Sequence, residues 1–187
     1  MPRDTHIFLI QPRKRGSGTV MYRTKNTLSE NIRAKSIGVL NAHLAAAIDL
    51  HGQVKQAHWN VRGEGFIAIH ELFDKVATEL IDFYDSIAER VGALGGTAEG
   101  TSQTAVKKSF LKPYPLGIAD TKAHIDAVTT ALSDFGTSAR KAIDETADFG
   151  DADTADLFTG VSRGIDQQIW LIESHLVPSP AKGGARK

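Results

Sequence analysis

Four long stretches of this chain carry apolar residues at a helical period, and the joints between them differ sharply in length. Thr27 or Ser29 can cap a first helix running to about Arg62, with Ile37, Leu40, Leu44, Ala47, Val54 and Val61 on one stripe. Gly63 and Gly65 break it. A second helix spans about Phe66 to Leu94, through Ile69, Phe73, Val76, Leu80, Ile87 and Val91, and stops at Gly95-Gly96. Asp120 can cap a third, over about 121–149, ended by Gly150. Asp151 or Asp153 can cap a fourth, over about 154–176, ahead of Pro178. No segment alternates well enough to be a strand. The joints at 63–65 and 150–153 are short, which makes antiparallel neighbours of the first and second helices and of the third and fourth. The 25-residue link at 95–119 is different. A second helix of about 29 residues is roughly 43 Å long, and such a link can return along all of it, setting the second and third helices parallel. Lys107, Lys108, Pro113 and Pro115 leave room in the link for at most one short helix. The expected fold class is all-α: a four-helix bundle with one long crossover, over residues 28–177.

The chain has no cysteine, so disulfides, thiolate zinc sites and a cysteine nucleophile are excluded. Any metal must be held by His, Asp and Glu. No apolar run is long enough to span a membrane, and Ile7-Phe-Leu-Ile10 is too short for a signal-peptide core. The composition suits the cytoplasm. A net charge of zero hides an uneven distribution: residues 1–35 carry +6, residues 36–177 carry −9, and the last ten carry +3. Residues 1–27 read as a flexible basic arm, with a short ordered piece at 6–11, and residues 178–187 as a basic tail. Met21 is a second candidate start, which would make residues 1–20 an extension.

Two pairs on the second helix carry chemistry. His70 with Asp74, and Asp85 with Glu89, are each spaced i, i+4, so each places two metal-ligating side chains on one face. His58, near the end of the antiparallel first helix, matches the depth of His70, so His58, His70 and Asp74 can converge. Asp85 and Glu89 cannot join them in one chain: Asp74 to Asp85 is about 16 Å along the axis, and His70 to Asp85 about 22 Å. The residues form either two unrelated half-sites or one site shared between chains. A twofold axis crossing the second helix between the pairs would bring Asp85 and Glu89 of one subunit onto His58, His70 and Asp74 of the other, twice over. A di-iron site inside one bundle would use Glu-x-x-His, which occurs nowhere here; Glu173-Ser-His175 has the wrong spacing. Two histidines with three carboxylates suit iron or manganese better than copper, with zinc also compatible.

The segments Lys55-Gln-Ala-His-Trp-Asn-Val-Arg-Gly63, Phe66-Ile-Ala-Ile-His-Glu-Leu-Phe-Asp74, Asp85-Ser-Ile-Ala-Glu-Arg90 and Leu94-Gly-Gly96 closely resemble the Dps family, the mini-ferritins that protect DNA in starved bacteria. The likeness continues through Ser109-Phe-Leu-Lys-Pro-Tyr-Pro-Leu116, Asp153-Thr-Ala-Asp156 and Trp170-x-x-Glu173, covering about residues 28–177. It implies a ferritin-like subunit assembled into a hollow homododecamer, associated with the bacterial nucleoid and serving the stress response. It implies a ferroxidase centre between subunits that takes His58, His70 and Asp74 from one chain and Asp85 and Glu89 from its mate. It implies that iron is oxidised there with hydrogen peroxide in preference to dioxygen, and that Fe(III) mineral is stored in the cage. It also places Trp59 beside the iron, where an indole can donate an electron. Residues around the third-to-fourth helix joint line threefold pores in such cages, which makes Asp156, then Asp153 and Asp151, the candidates for drawing Fe(II) inward.

The basic ends offer a non-specific grip on DNA through Arg3, Arg13, Lys14, Arg15, Arg23, Lys25, Lys182, Arg186 and Lys187. The alternative emphasis is a nucleoid-compacting structural particle whose metal sites are secondary. His51 lies seven residues before His58 on the same side, and a buried or interfacial role is expected for it rather than a sixth ligand. His43 and His124 receive no functional assignment.

Overall fold

A computed structural model describes residues 21–176; the ordered piece expected at 6–11 and most of the basic residues of the two ends lie outside them. The described residues form α1 (Glu30–Asn60), α2 (Phe66–Ala93), α3 (Ser102–Lys108), α4 (Thr121–Phe149) and α5 (Ala152–Glu173). The helix starts follow from capping chemistry. Ser29, Thr101, Asp120 and Asp151 each accept a hydrogen bond from a backbone N–H of the first turn of α1, α3, α4 and α5 respectively. α4 stops where Gly150 turns left-handed at φ 86°.

Two boundaries differ from the sequence reading. α1 stops at Asn60 rather than about Arg62, because Val61 turns extended and the Arg62 N–H donates to the Ala119 carbonyl (2.9 Å). α5 spans Ala152–Glu173 instead of about 154–176, since Asp151 and not Asp153 is the cap.

The crossover returns along α1, as its length predicted. Asn41 holds the Thr97 carbonyl and the Glu99 N–H, Asp49 accepts from the Ser109 hydroxyl (2.5 Å), and Gln53 donates to the Lys112 carbonyl (3.0 Å). With Arg62 on Ala119, the anchors ascend α1 and the link in step. α2 and α4 are therefore parallel, and α3 is the one short helix the link carries. α1 is the central element, burying polar Ser36, Asn41, His43 and Gln53 as well as its apolar stripe. Its apolar residues pack on Phe73, Leu80 and Ile87 of α2, Phe135 of α4 and Phe158 of α5 in the buried core.

His43 shows what that packing does to a titratable group. Phe110, Phe135 and Phe158 wall it in, its Nδ1–H donates to the Val39 carbonyl (2.8 Å), and its Nε2 accepts from the Ser138 hydroxyl (3.0 Å). Burial holds its pKa below the usual 6.5, against smaller opposing influences from Val39, Ser138 and Glu145. Below that pH the unfolded chain binds a proton that the folded one refuses, so stability falls as pH drops through it. Melting measured between about pH 8 and 5 should show this acid-side loss, with a slope of at most about 1.4 kcal/mol per pH unit for each proton. His43→Asn should make the slope shallower; an unchanged slope would reject the assignment.

Candidate metal centre

The end of α1 builds half of a site. Because Arg62 is engaged by Ala119, the His58 carbonyl lacks its helical i+4 partner. The His70 Nδ1–H donates to that carbonyl at 2.8 Å, and the His58 Nδ1–H donates to the His70 carbonyl at 2.8 Å. The two rings stack with centroids 3.8 Å apart and planes 20° from parallel, with Phe66 tilted against His70 at 5.1 Å. A carbonyl only accepts, so both protons sit on Nδ1 and both Nε2 lone pairs are free. Fixing a ligand's tautomer by hydrogen-bonding its other nitrogen is the usual outer support of a metal-binding histidine.

Asp74 completes the cluster on α2. Its Oδ1 is 3.9 Å from His58 Nε2 and 2.6 Å from Lys55 Nζ. The Lys55 ammonium, with smaller help from His58 and His70, holds the exposed carboxyl below the ordinary aspartate range. Lys55 also lies over the Trp59 ring, 5.7 Å from its centroid. Sequence reasoning passed over Lys55, although its i, i+3 spacing to His58 puts the two on one face. Trp59 itself is 65% exposed.

The structure thus brings His58, His70 and Asp74 together and leaves Asp85 and Glu89 apart from them, exposed farther along the same helix. Among the described residues, no three His, Asp or Glu side chains of one chain are placed to hold an ion. The two groups are nevertheless evenly spaced about one position along α2. Residues 70 and 89, like 74 and 85, are centred on one point between Glu79 and Leu80. Antiparallel pairing of two α2 helices about that point superposes both pairs at once, and Ile81, 41% exposed beside it, offers apolar surface to such a mate.

Of the acidic residues near the α4–α5 joint, Asp151 must be removed from the pore candidates. It is 1% exposed and accepts from the Thr154 N–H (3.1 Å), the Thr154 hydroxyl (2.6 Å) and Arg90 Nη2 (2.6 Å). A carboxylate so enclosed caps α5 and neutralises Arg90; it cannot meet a passing cation. Asp153 and Asp156 are exposed. His51 is half-buried edge-on to Tyr84, with ring centroids 6.0 Å apart. Of the basic residues assigned to DNA, Arg23 and Lys25 are described and exposed, whereas Arg3, Arg13, Lys14, Arg15, Lys182, Arg186 and Lys187 lie outside the described residues. Tyr22 N–H bonds the Gly95 carbonyl (2.7 Å), which puts the root of the N-terminal arm at the α2–crossover end of the bundle.

Comparison with known proteins agrees with this architecture. A family profile described as a ferritin-like domain matches residues 37–178. The DNA protection during starvation protein of Agrobacterium fabrum is 44% identical over 155 residues, covering 83% of this chain and 96% of that protein. Among solved structures, DpsA14 from Streptomyces coelicolor superposes with a TM-score of 0.81 at 34% identity, over 90% of this chain and 98% of that one. DpsC from the same organism gives 0.80 at 31% identity, over 86% and 94%.

Proposed function

Since the chain belongs to the Dps family of ferritin-like proteins, we propose that it is a cage-forming ferroxidase that oxidises Fe(II) with hydrogen peroxide, stores Fe(III) and so protects DNA. The observation that carries this is the division of five ligands into two groups centred on one point of α2. The site is completed by a second copy, His58, His70 and Asp74 facing Asp85 and Glu89 of the mate, and twelve subunits close into the shell. The free Nε2 lone pairs of His58 and His70 bind Fe(II), and the three carboxylates balance its charge and favour Fe(III). Lys55 neutralises Asp74 until iron arrives and then withdraws. Two Fe(II) give one electron each to hydrogen peroxide, which with two protons becomes two waters, so no hydroxyl radical is released. Asp153 and Asp156 draw iron toward the cavity.

Anaerobic Fe(II) loading followed by substoichiometric peroxide tests this. Oxidation well above the buffer rate is expected, with iron eluting in the cage peak on size exclusion. Oxidation at the buffer rate, with iron separating from protein, would leave the protein without this function.

The +6 and +3 ends support a second, compatible activity, non-specific binding of the DNA backbone, multiplied by avidity in an assembly. The gel shift should weaken steeply with salt and on deletion of residues 1–26. An unaltered shift after that deletion would take the N-terminal arm out of the reading.

A further inference from the structure

Between the second half of the crossover and α4 lies a groove of about 330 Å³. Its crossover wall is Pro113, Tyr114 and Pro115. That wall is held from below: the Tyr114 hydroxyl is hydrogen-bonded to His124 Nδ1 (2.6 Å), and Gln53 donates to the Lys112 carbonyl (3.0 Å). On the α4 side, Ala123 and Ala127 are small enough to leave the groove open, and Asp126 and Asp134 stand on its rim. Both carboxylates are exposed, and among the described residues neither is in an ion pair. They are about 12 Å apart along the helix. Lys112 stands on the crossover side, which leaves the rim net negative.

The described residues end nearby. α5 runs antiparallel to α4, with Ile165 beside Gly136, so the end of α5 lies beside the first turns of α4. Leu176 packs on the core cluster that contains Ile125 and Val128. The residues that follow are Val177-Pro-Ser-Pro-Ala-Lys-Gly-Gly-Ala-Arg-Lys187. The stretch to Lys182 can span up to about 20 Å, more than the 10–12 Å width of a helix, roughly, that separates it from the groove. From Lys182 to Arg186 an extended chain covers about 13 Å, which matches the separation of Asp126 and Asp134. Between the two cations stand only Gly183, Gly184 and Ala185, which carry no bulk that the groove would exclude.

We propose that this groove is a docking site for residues 177–187 of the same chain, with Lys182 on Asp126, Arg186 on Asp134 and the small residues between them against the Pro113–Pro115 wall. Charge favours this occupant, since the rim offers two carboxylates and the segment carries Lys182, Arg186 and Lys187. Position favours it too: the basic N-terminal arm has its root on Gly95, at the other end of the bundle. Exposed ion pairs are individually weak, so the segment exchanges between docked and released, and docking fades as salt rises. While it is docked, a phosphate backbone reaches these cations only by displacing two carboxylates.

The chain has no cysteine, so a pair can be introduced without background. In the assembled full-length protein, Thr130→Cys on the rim of the groove and Gly184→Cys in the segment should form a disulfide under mild oxidation at low salt. Mass spectrometry of the monomer band from a non-reducing gel identifies the link. Ala98→Cys, exposed at the other end of the crossover, should not link to Gly184→Cys above background. Adding Asp126→Asn and Asp134→Asn to the first pair should slow linkage about fivefold, the effect of losing two exposed ion pairs. Raising salt should slow it likewise. Linkage no faster than with Ala98→Cys, or unaltered by loss of both carboxylates, would overturn the docking. Linkage found only between two chains would give the groove to a neighbouring subunit's segment and overturn the assignment to the same chain.

Discussion

Mixed assemblies of a His70→Ala subunit and a Glu89→Ala subunit are expected to regain about a quarter of full iron-oxidation activity, though neither variant is active by itself. Each substitution removes a ligand from every site of its own assembly, and each alone should lower the rate more than about 100-fold. In a twofold pair containing both variants, one site has lost His70 and Glu89 together, and the other retains all five ligands. Random mixing makes about half of the pairs mixed, and half of the sites in those are intact. Co-expression with distinct tags, sequential purification and a stopped-flow absorbance assay would measure the fraction. A centre built within one subunit gives no recovery, so inactivity of the mixed assemblies would refute the shared site.

A large loss of stability is expected from Arg90→Met. Arg90 Nη2 lies 2.6 Å from Asp151 and its Nε donates to the Thr154 hydroxyl at 3.0 Å. Burial pushes the Asp151 pKa up, and hydrogen bonds led by Thr154, with Arg90 among them, more than reverse this. Its contribution is therefore present above the usual carboxylate pKa and is lost as pH falls below it. Removing the arginine leaves a buried charge without its counter-ion, at a cost of about 3–5 kcal/mol. Chemical denaturation would measure it. The double variant Arg90→Met with Asp151→Asn should recover much of the loss, because the uncompensated charge is gone. Full destabilisation in the double variant would mean that arginine packing, not charge pairing, carries the effect.

Helix starts and stops were largely legible because their causes are local. Ser29, Asp120 and Gly150 act within a few residues of where they stand. The errors arose where a distant partner decides. α1 loses its last residues to a carbonyl at position 119, and no periodicity in residues 28–62 carries that information. Asp151 was legible as a candidate cap of the last helix, but its burial against Arg90, from another helix, was not, and that burial removes it from the pore candidates. The candidate site divides the same way. The matched depths of His58 and His70 followed from helix geometry and the short joint. Their reciprocal bonds to each other's carbonyls did not, because they depend on how the chain leaves α1. Lys55 was in view as a residue, but its position on Asp74 is a matter of side-chain reach.

The crossover also ties the cluster to the far half of the chain. α1 with α2, and α4 with α5, are hairpins closed by short turns, whose contacts cost little loop entropy and can form early. Of the 27 residues between Ala93 and Thr121, only the seven of α3 are helical. They are anchored along the first helix and its end, from Asn41 to Arg62. The last of those anchors is the one that frees the His58 carbonyl for His70. The geometry of the His58–His70–Asp74 cluster therefore depends on a long-range contact between the end of α1 and the start of α4, and not on the α1–α2 hairpin alone.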